Sequence, residues 1–205
     1  MLPQIFDDII ELEKQKKIES AVLSPDFNWF FANTATYKAD ENMSEKDKSL
    51  MNFKNTEDKF QFIHYLYRDK TVLSQKILIF DEILEKIFKI IGVEYNIDNL
   101  TSKLYRMKVN FTTPVNKKMS FVAPHIDVKG IDTETFIYYI NDADGDTKLF
   151  HQFYDDKDVF DKLTVQKTIS PKRGRLIRFD GNQIHSASRP VKSDYRLVLN
   201  VNILK

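Results

Sequence analysis

The chain has 205 residues, of which 42% are hydrophobic and 13% aromatic, so it is long enough to bury the core of one globular domain. Its 31 basic and 30 acidic side chains give a formal net charge of +1, which excludes strong global attraction to nucleic acid or to an anionic membrane. The absence of cysteine excludes disulfides, iron–sulfur clusters and thiolate metal sites. Any metal must therefore be bound by nitrogen and oxygen atoms.

The chain shows no sign of a targeting segment. Residues 1–17 mix Glu, Asp and Lys with apolar residues and lack the apolar run of a signal peptide, and no stretch is long and apolar enough to span a bilayer. We therefore expect an intracellular, cytoplasmic protein with no membrane partner. The abundance of Lys, Ile, Asn and Phe is typical of AT-rich genomes, which favours a bacterial or phage source.

Residues 1–98 are predicted to form a mainly helical support region. Pro3 suits a first helical turn, and Ile5, Ile9 and Leu12 follow at helical spacing. An aromatic cluster at residues 26–31 and a polar surface loop at residues 39–49 come next. Two further helices are predicted, over residues 57–67, with His64 as a structural residue on one face, and over residues 74–91, ending at Gly92.

After about residue 99 the hydrophobic pattern changes to a period of two, which predicts strands. In residues 104–111, Tyr105, Met107, Val109 and Phe111 alternate with Arg106, Lys108 and Asn110. Further strands are predicted at residues 121–127, 135–141, 147–153, 163–169, 175–179 and 195–203. Turn signals separate them, notably at residues 141–145 and 170–174. The pattern predicts a mainly β (α+β) fold of one domain, residues 1–205, in which residues 99–205 form an antiparallel barrel or jelly roll buttressed by N-terminal helices.

A candidate metal site lies within the predicted strands. His125 and Asp127 are two residues apart, and on a strand that spacing puts both side chains on one face. His185 follows a strand end and a turn, which can bring a second imidazole across the barrel. Two histidines and one carboxylate form the facial triad of non-haem iron(II) oxygenases. The plainer alternative is a surface histidine beside a solvated aspartate.

Arg196 is a candidate anion-binding residue on the last predicted strand. It alternates with Val198, Asn200 and Asn202 on the side predicted to face inward. A guanidinium inside a barrel is costly unless it meets an anion, and its planar fork suits one carboxylate of a dicarboxylate cosubstrate. A structural salt bridge to an acidic residue is the alternative.

These residues together resemble the iron(II)- and 2-oxoglutarate-dependent dioxygenases, in the subgroup that is similar to prolyl hydroxylases. The resemblance covers about residues 104–204. Its motifs follow the order of that family: His125 and Asp127, the strand at residues 135–141, the segment at residues 144–150, Gly174 before a strand, His185, and Arg196.

The resemblance implies a double-stranded β-helix, the cupin-like jelly roll, in which Fe(II) is bound by His125, Asp127 and His185. It implies that 2-oxoglutarate chelates the iron and places its 5-carboxylate on Arg196, and that O2 takes the last coordination site. Tyr139 matches a tyrosine that bonds the 5-carboxylate. Thr147 and Asn200 match positions in the same pocket. Each of these three residues also has a purely structural interpretation, as core aromatic, strand former or barrel filler.

The sequence departs from the family pattern at two places. The Gly-Gly pair common before the Thr147 strand is here Asp144-Gly145, and Val115 stands where a tyrosine is frequent before the His-x-Asp motif. Tyr105, Arg106, Lys108 or Asn110 on the preceding strand could replace that tyrosine, and the last three could contact cosubstrate or substrate if they point inward. The sequence favours the alternative, in which they form a solvated strand face.

The resemblance favours hydroxylation of a prolyl or other side chain in a peptide or protein. Two alternatives stay open: a nucleic-acid oxidative demethylase, which the balanced charge disfavours, and a non-catalytic cupin-like binding module, which the complete set of motifs disfavours. His151 follows the segment at residues 144–150, but with the triad filled we expect it to be an ordinary surface histidine.

Overall fold

The computed structural model describes residues 1–34, 36, 43–52, 60–115, 121–155 and 163–205, the side chain of Ile97 excepted. The strands of these residues are β1 (Gln4–Phe6), β2 (Phe30–Ala32), β3 (Gln61–Arg68), β4 (Thr71–Val72), β5 (Leu104–Thr112), β6 (Thr133–Tyr139), β7 (Thr147–Phe153), β8 (Val165–Ile169), β9 (Leu176–Asp180), β10 (Gln183–Ala187) and β11 (Arg196–Leu204). The helices are α1 (Leu12–Val22), α2 (Glu45–Met51), α3 (Asp81–Ile90) and α4 (Ile97–Lys103), and a 3-10 helix at Gln75–Phe80 leads into α3.

Two antiparallel sheets face each other across the interior. The large sheet has the order β1-β9-β6-β11-β5-β3-β2, with β4 paired to β3. The small sheet has the order β10-β7-β8. The mainly β jelly roll expected from the alternating second half is confirmed.

The helices α1, α3 and α4 cover the outer face of the large sheet. Residues of α1 and α3 pack against alternate residues of β5, β6 and β11 in one apolar cluster, which includes Ile18, Val22, Ile83, Ile87, Met107, Val109, Leu197 and Leu199. The amphipathic helices thereby bury their apolar stripes, and the facing side chains of the same strands are left to form the interior. Gly92 ends α3 as predicted, with a φ of +74° that suits glycine after a helix.

The interior between the sheets is apolar at one end and polar at the other. Its apolar part contains Ile137, Tyr139, Leu149, Ile169, Ile177, Phe179 and Val198, drawn from both sheets. The outer face of the small sheet is covered by α2, where Leu50 packs with Ile126 and Phe150 in a separate cluster.

Three predictions for the first half are wrong. Residues 57–67 were predicted as a helix, but residues 61–68 form β3, while residues 57–59 lie outside the described part of the chain. The helix predicted to begin at Pro3 does not form there. Residues 4–6 form β1 instead, because Ile5 pairs with Ile177 at the sheet edge. The predicted loop at residues 39–49 contains the start of α2, which Ser44 caps by accepting a hydrogen bond from Asp47 N–H; residues 39–42 are not described. Residues 1–98 therefore contribute four strands as well as the supporting helices.

The predicted strand at residues 121–127 is replaced by a bulged segment beside β10. Val122 N–H donates to Ala187 O, and His125 pairs with His185 through two backbone hydrogen bonds of 2.9 Å. Three residue steps on one side therefore face two on the other, as in a β-bulge. Pro124 lies in this bulge and has no N–H to donate, so continuous pairing stops there.

No helix among the described residues is both long enough and apolar enough to cross a membrane.

Candidate metal centre

His125, Asp127 and His185 converge where the bulged segment meets β10. One nitrogen or carboxylate oxygen from each residue lies within 4.8 Å of the others. His185 Nε2 is 3.6 Å from Asp127 Oδ2, and the two imidazole centroids are 4.6 Å apart. The structure therefore brings together the three residues that the sequence put forward as metal ligands.

Both imidazoles are held so that Nε2 is free. His125 Nδ1 lies 3.0 Å from Ala123 O, and His185 Nδ1 lies 3.3 Å from Gln183 O. A carbonyl oxygen can only accept a hydrogen bond, so each Nδ1 carries the proton and each Nε2 presents a lone pair. Burial lowers the pKa of His125 to about 3, and it also lowers the pKa of His185. Both rings are therefore neutral, as metal ligation requires.

Asp127 is ionised despite its burial. Burial acts to raise its pKa, but the nearby Arg106 guanidinium outweighs that effect and holds the pKa well below 3.8. Arg106 Nη2 lies 2.7 Å from Asp127 Oδ1, and Asn200 Nδ2 donates to Oδ2 over 2.8 Å. A carboxylate has about four lone-pair sites, so these contacts orient it and still leave room for a cation. The donor set fits one divalent ion.

Arg196 is buried at the Thr147 end of the same interior, with 4% of its surface exposed. Its Nε donates to Gly145 O over 2.7 Å, and its Nη2 donates to Thr147 Oγ1 over 2.9 Å. Tyr139 donates to the same hydroxyl over 2.7 Å, and its ring lies under the guanidinium. Among the described residues no carboxylate pairs with Arg196, so the structural salt bridge considered from the sequence is absent there.

One pocket connects the triad to Arg196. Its lining includes Thr147, Arg196 and Asn200, together with the apolar side chains of Ile137 and Val198. Tyr139 is fully buried and does not line the pocket; it supports Thr147 and Arg196 from behind.

The inner face of β5 is not a solvated strand face, contrary to the interpretation that the sequence favours. Arg106 bonds to Asp127, Asn200 and Asn202, while Lys108 and Asn110 line the pocket. Burial, with the charge of Arg106, lowers the pKa of Lys108 to about 8. The small sheet covers this face, which the alternating pattern of one strand does not reveal.

Sequence reasoning also missed Gln61 and Arg189, which line the pocket on the β3 side. Arg189 donates to Thr113 O and to Phe60 O, and it lies over the Phe60 ring. Because residues 57–67 were predicted as a helix, the alternation of side chains along a strand was not applied to Gln61.

The other two histidines lie outside the triad. His64 is buried in β3, where its Nδ1 contacts Asn28 O and its ring packs on Phe27. His151 is exposed on β7.

A comparison with models of protein families finds no match, and a comparison with curated proteins finds no related sequence. Comparison with solved structures finds similar folds over almost the whole chain. A 2OG-Fe(II) oxygenase family oxidoreductase from Burkholderia pseudomallei is 12% identical, with a TM-score of 0.60 over 98% of this chain and 84% of that one. A prolyl hydroxylase from Trichoplax adhaerens, in complex with a hypoxia inducible factor peptide fragment, is 12% identical, with a TM-score of 0.58 over 98% and 83%.

A third similar structure is the epimerase SnoN of nogalamycin biosynthesis in complex with Fe3+, alpha ketoglutarate and nogalamycin RO. It is 10% identical, with a TM-score of 0.55 over 99% of this chain and 78% of that one. At such low identities the likeness concerns the fold. The chain has the fold of the iron(II)- and 2-oxoglutarate-dependent oxygenases, a group of structures that includes prolyl hydroxylases.

Proposed function

We propose that this protein is an iron(II)- and 2-oxoglutarate-dependent oxygenase that hydroxylates a side chain of a polypeptide, with a prolyl residue as the first choice. The observation that carries the proposal is the pocket that joins the neutral His125 and His185 and the ionised Asp127 to the buried Arg196. A divalent metal fits the first set of groups, and a carboxylate fits Arg196.

In this proposal His125 Nε2, His185 Nε2 and an oxygen of Asp127 hold the metal. Iron(II) with 2-oxoglutarate and O2 supplies hydroxylation of a C–H bond, in which one oxygen atom of O2 enters the product alcohol, the other enters succinate, and CO2 is released. Each protein ligand is itself held in place: the imidazoles by backbone carbonyls, and the carboxylate by Arg106 and Asn200. Such support fixes the geometry of the site before a ligand arrives.

The Arg196 end of the pocket binds the distal carboxylate of the cosubstrate. Gly145 O and Thr147 Oγ1 fix the guanidinium, and Ile137 and Val198 line the pocket with apolar surface. Apolar walls exclude water and strengthen the interaction between the guanidinium and a carboxylate.

An exposed aromatic patch beside the pocket supports a substrate larger than the pocket. The patch consists of Phe31, Phe60 and Phe62, whose rings contact one another, and Phe31 and Phe60 are 65% and 38% exposed. It adjoins the pocket because Arg189, a lining residue, lies 5.1 Å over the Phe60 ring. Exposed apolar surface next to a binding pocket is typical of an interaction site, and an extended polypeptide can contact both.

The first test is metal-dependent conversion of 2-oxoglutarate to succinate without added substrate, in wild type and in the His125→Ala and Arg196→Ala variants. We expect turnover in wild type, its loss in His125→Ala, and a greatly raised KM for 2-oxoglutarate in Arg196→Ala. A wild type that binds no iron would contradict the enzyme proposal and leave a non-catalytic binding module. Equal turnover in wild type and His125→Ala would contradict the site assignment.

The second test concerns the substrate. A library of proline-containing peptides is assayed for a mass gain of one oxygen atom, with wild type and with Phe31→Ser. We expect Phe31→Ser to raise the KM for an accepted peptide and to leave substrate-free succinate formation unchanged, because the patch lies outside the metal site. Oxidation of methylated nucleic acid, with no peptide accepted, would replace the polypeptide proposal.

A further inference from the structure

Lys108 is a buried cation that forms no ion pair with any described residue. It lies in β5 with 8% of its surface exposed, and it lines the pocket. Its ammonium has no hydrogen-bond or ion-pair partner among the described residues. A buried ammonium that lacks an anion is costly, so such residues are usually paired in the functional state of a protein.

The neighbouring charged groups of the pocket are already engaged. Arg106 forms the ion pair with Asp127, and Arg196 donates to Gly145 O and Thr147. The single carboxylate of the triad is therefore taken up by Arg106, Asn200 and the proposed metal. Among the described residues that line the pocket, Asp127 is the only carboxylate, so Lys108 is left to pair with the anion of a ligand.

The position of Lys108 relates it to the metal end of the pocket. Lys108 pairs with Asn200 in the β5–β11 register, and Asn200 donates to the Asp127 carboxylate. The Lys108 charge acts on all three triad residues. Arg196 stands four residues before Asn200 on β11, a Cα separation of about 13 Å along a strand. The pocket thus has one cation near the metal and another toward its far end.

The surface between these two cations is also open to a ligand. Asn110 lies in β5 between Lys108 and Thr112, the residue that pairs with Arg196. Its side chain lines the pocket, and its amide N–H groups can donate hydrogen bonds to a carboxylate. A small dicarboxylate can therefore lie along β5 and β11 with one carboxylate at each cation.

We propose that Lys108 binds the carboxylate of the 2-oxo acid that lies next to the metal, so that the cosubstrate is held by Lys108 at one end and by Arg196 at the other. This inference rests on the proposed function, which supplies the ligand.

The test measures binding without turnover. Calorimetry gives the Kd of 2-oxoglutarate for the Mn2+-loaded protein in wild type, Lys108→Met, Lys108→Arg and Lys89→Met. The last variant removes an exposed lysine of α3 and is the matched control. We expect Lys108→Met to weaken binding roughly 10- to 100-fold, as for loss of a hydrogen bond between charged groups, Lys108→Arg to restore most of the affinity, and Lys89→Met to match wild type.

A second readout separates binding from folding. Without metal or ligand, Lys108→Met should melt at the same temperature as wild type or higher, because it removes an unpaired buried charge. If wild type binds 2-oxoglutarate and Lys108→Met binds it equally well, the inference is wrong while the proposed function stands. The inference is also wrong, and the proposed function again stands, if Lys108→Met raises only the KM for the polypeptide. Lys108 would then contact the polypeptide substrate and not the cosubstrate. If wild type binds no 2-oxoglutarate, the proposed function fails as well.

Discussion

Arg106 and Asp127 form an ion pair, with 2.7 Å between Nη2 and Oδ1, in a place where only 12% and 5% of their side chains are exposed. Arg106 also donates to the backbone carbonyl of Asp127 and to Asn202. The guanidinium thus fixes both the position and the charge of the carboxylate that we propose as a metal ligand. Through these contacts, Arg106 connects interior residues of β5 and β11 to the bulged segment that contains Asp127.

Replacement of Arg106 by methionine should destabilise the metal-free protein by roughly 3–5 kcal/mol, because a buried carboxylate is left without its partner. Mn2+ should raise the melting temperature of Arg106→Met more than that of wild type, since the ion then provides the missing positive charge. Thermal and urea unfolding with and without Mn2+ measure both effects. Arg68→Met is the control: its ion pair with Asp69 is more than half exposed, so the expected cost is below about 1 kcal/mol. Equal losses in the two variants would show that the Arg106 pair has no special role.

Thr147→Val removes a hydroxyl that accepts hydrogen bonds from both Tyr139 and Arg196. Two buried donors lose their partner while the side-chain shape is kept, so we expect a loss of about 1–3 kcal/mol in the free energy of unfolding. The KM for 2-oxoglutarate should rise with little change in kcat at saturation, because the guanidinium is less well fixed. Thr168→Val, on the exposed side of β8, should stay within about 0.5 kcal/mol of wild type. An unchanged KM in Thr147→Val would separate this hydroxyl from cosubstrate binding.

Gly145→Ala should shift the loop whose backbone holds the Arg196 side chain. A Cβ at this position would lie 2.5 Å from Ser188 O and 3.0 Å from Arg196 Cδ. We expect a destabilisation of about 1–3 kcal/mol and weaker binding of 2-oxoglutarate, measured by urea unfolding and calorimetry. In Gly92→Ala the new Cβ meets no atom within 4 Å, so only the strain of its positive φ remains and ligand affinity should be unchanged. Wild-type affinity in Gly145→Ala would mean that the loop shifts without moving Arg196.

The lowered pKa of the Asp144 carboxyl predicts a pH-dependent contribution to the stability of the fold. Burial acts to raise its pKa, but hydrogen bonds from the backbone N–H groups of Ser193, Lys192 and Val191 lower it to about 2. Because the folded-state pKa lies below the unfolded value, the carboxylate stabilises the fold above about pH 4, and this stabilisation is lost as the pH falls through 2. Its size is on the order of 1 kcal/mol after allowance for solvent exposure.

The corresponding experiment compares urea unfolding of wild type and Asp144→Asn at several pH values between 2 and 5. Wild type should be the more stable protein at pH 5, and the difference should shrink toward pH 2. A constant difference over this range would rule out the charge of Asp144 as its source.

Six of the strands from residue 104 onward could be predicted from their hydrophobic pattern, which is clearest in β5, where apolar and polar residues alternate. The strand β10 was not predicted, and residues 121–127 form a bulged segment in place of the strand predicted there. The same rule failed for β3. Its register shifts between Tyr65 and Tyr67, and Leu66 and Tyr67 are both fully buried. The bulge breaks the alternation and leaves Phe60, Ile63, His64 and Tyr67 at intervals that also fit a helix.

The candidate site shows a similar division. His125, Asp127, His185 and Arg196 could be predicted because few combinations of residue types serve their chemistry. The environment of Arg106 and Lys108 could not, since a polar strand face looks the same in sequence whether water or a second sheet covers it. What covers it depends on the pairing of β7 with β10, which brings together residues distant in the chain.

The backbone pairing of His125 with His185 has a consequence for how such a site can vary. Two reciprocal hydrogen bonds join these residues directly, although they are 60 positions apart in the chain. The distance between the two imidazoles is therefore set locally, by one rung between neighbouring segments. Loops between them can lengthen or shorten without altering the geometry of the ligands, so long as that rung is preserved. The number of residues between the two histidines can therefore change, while the distance between their imidazoles stays the same.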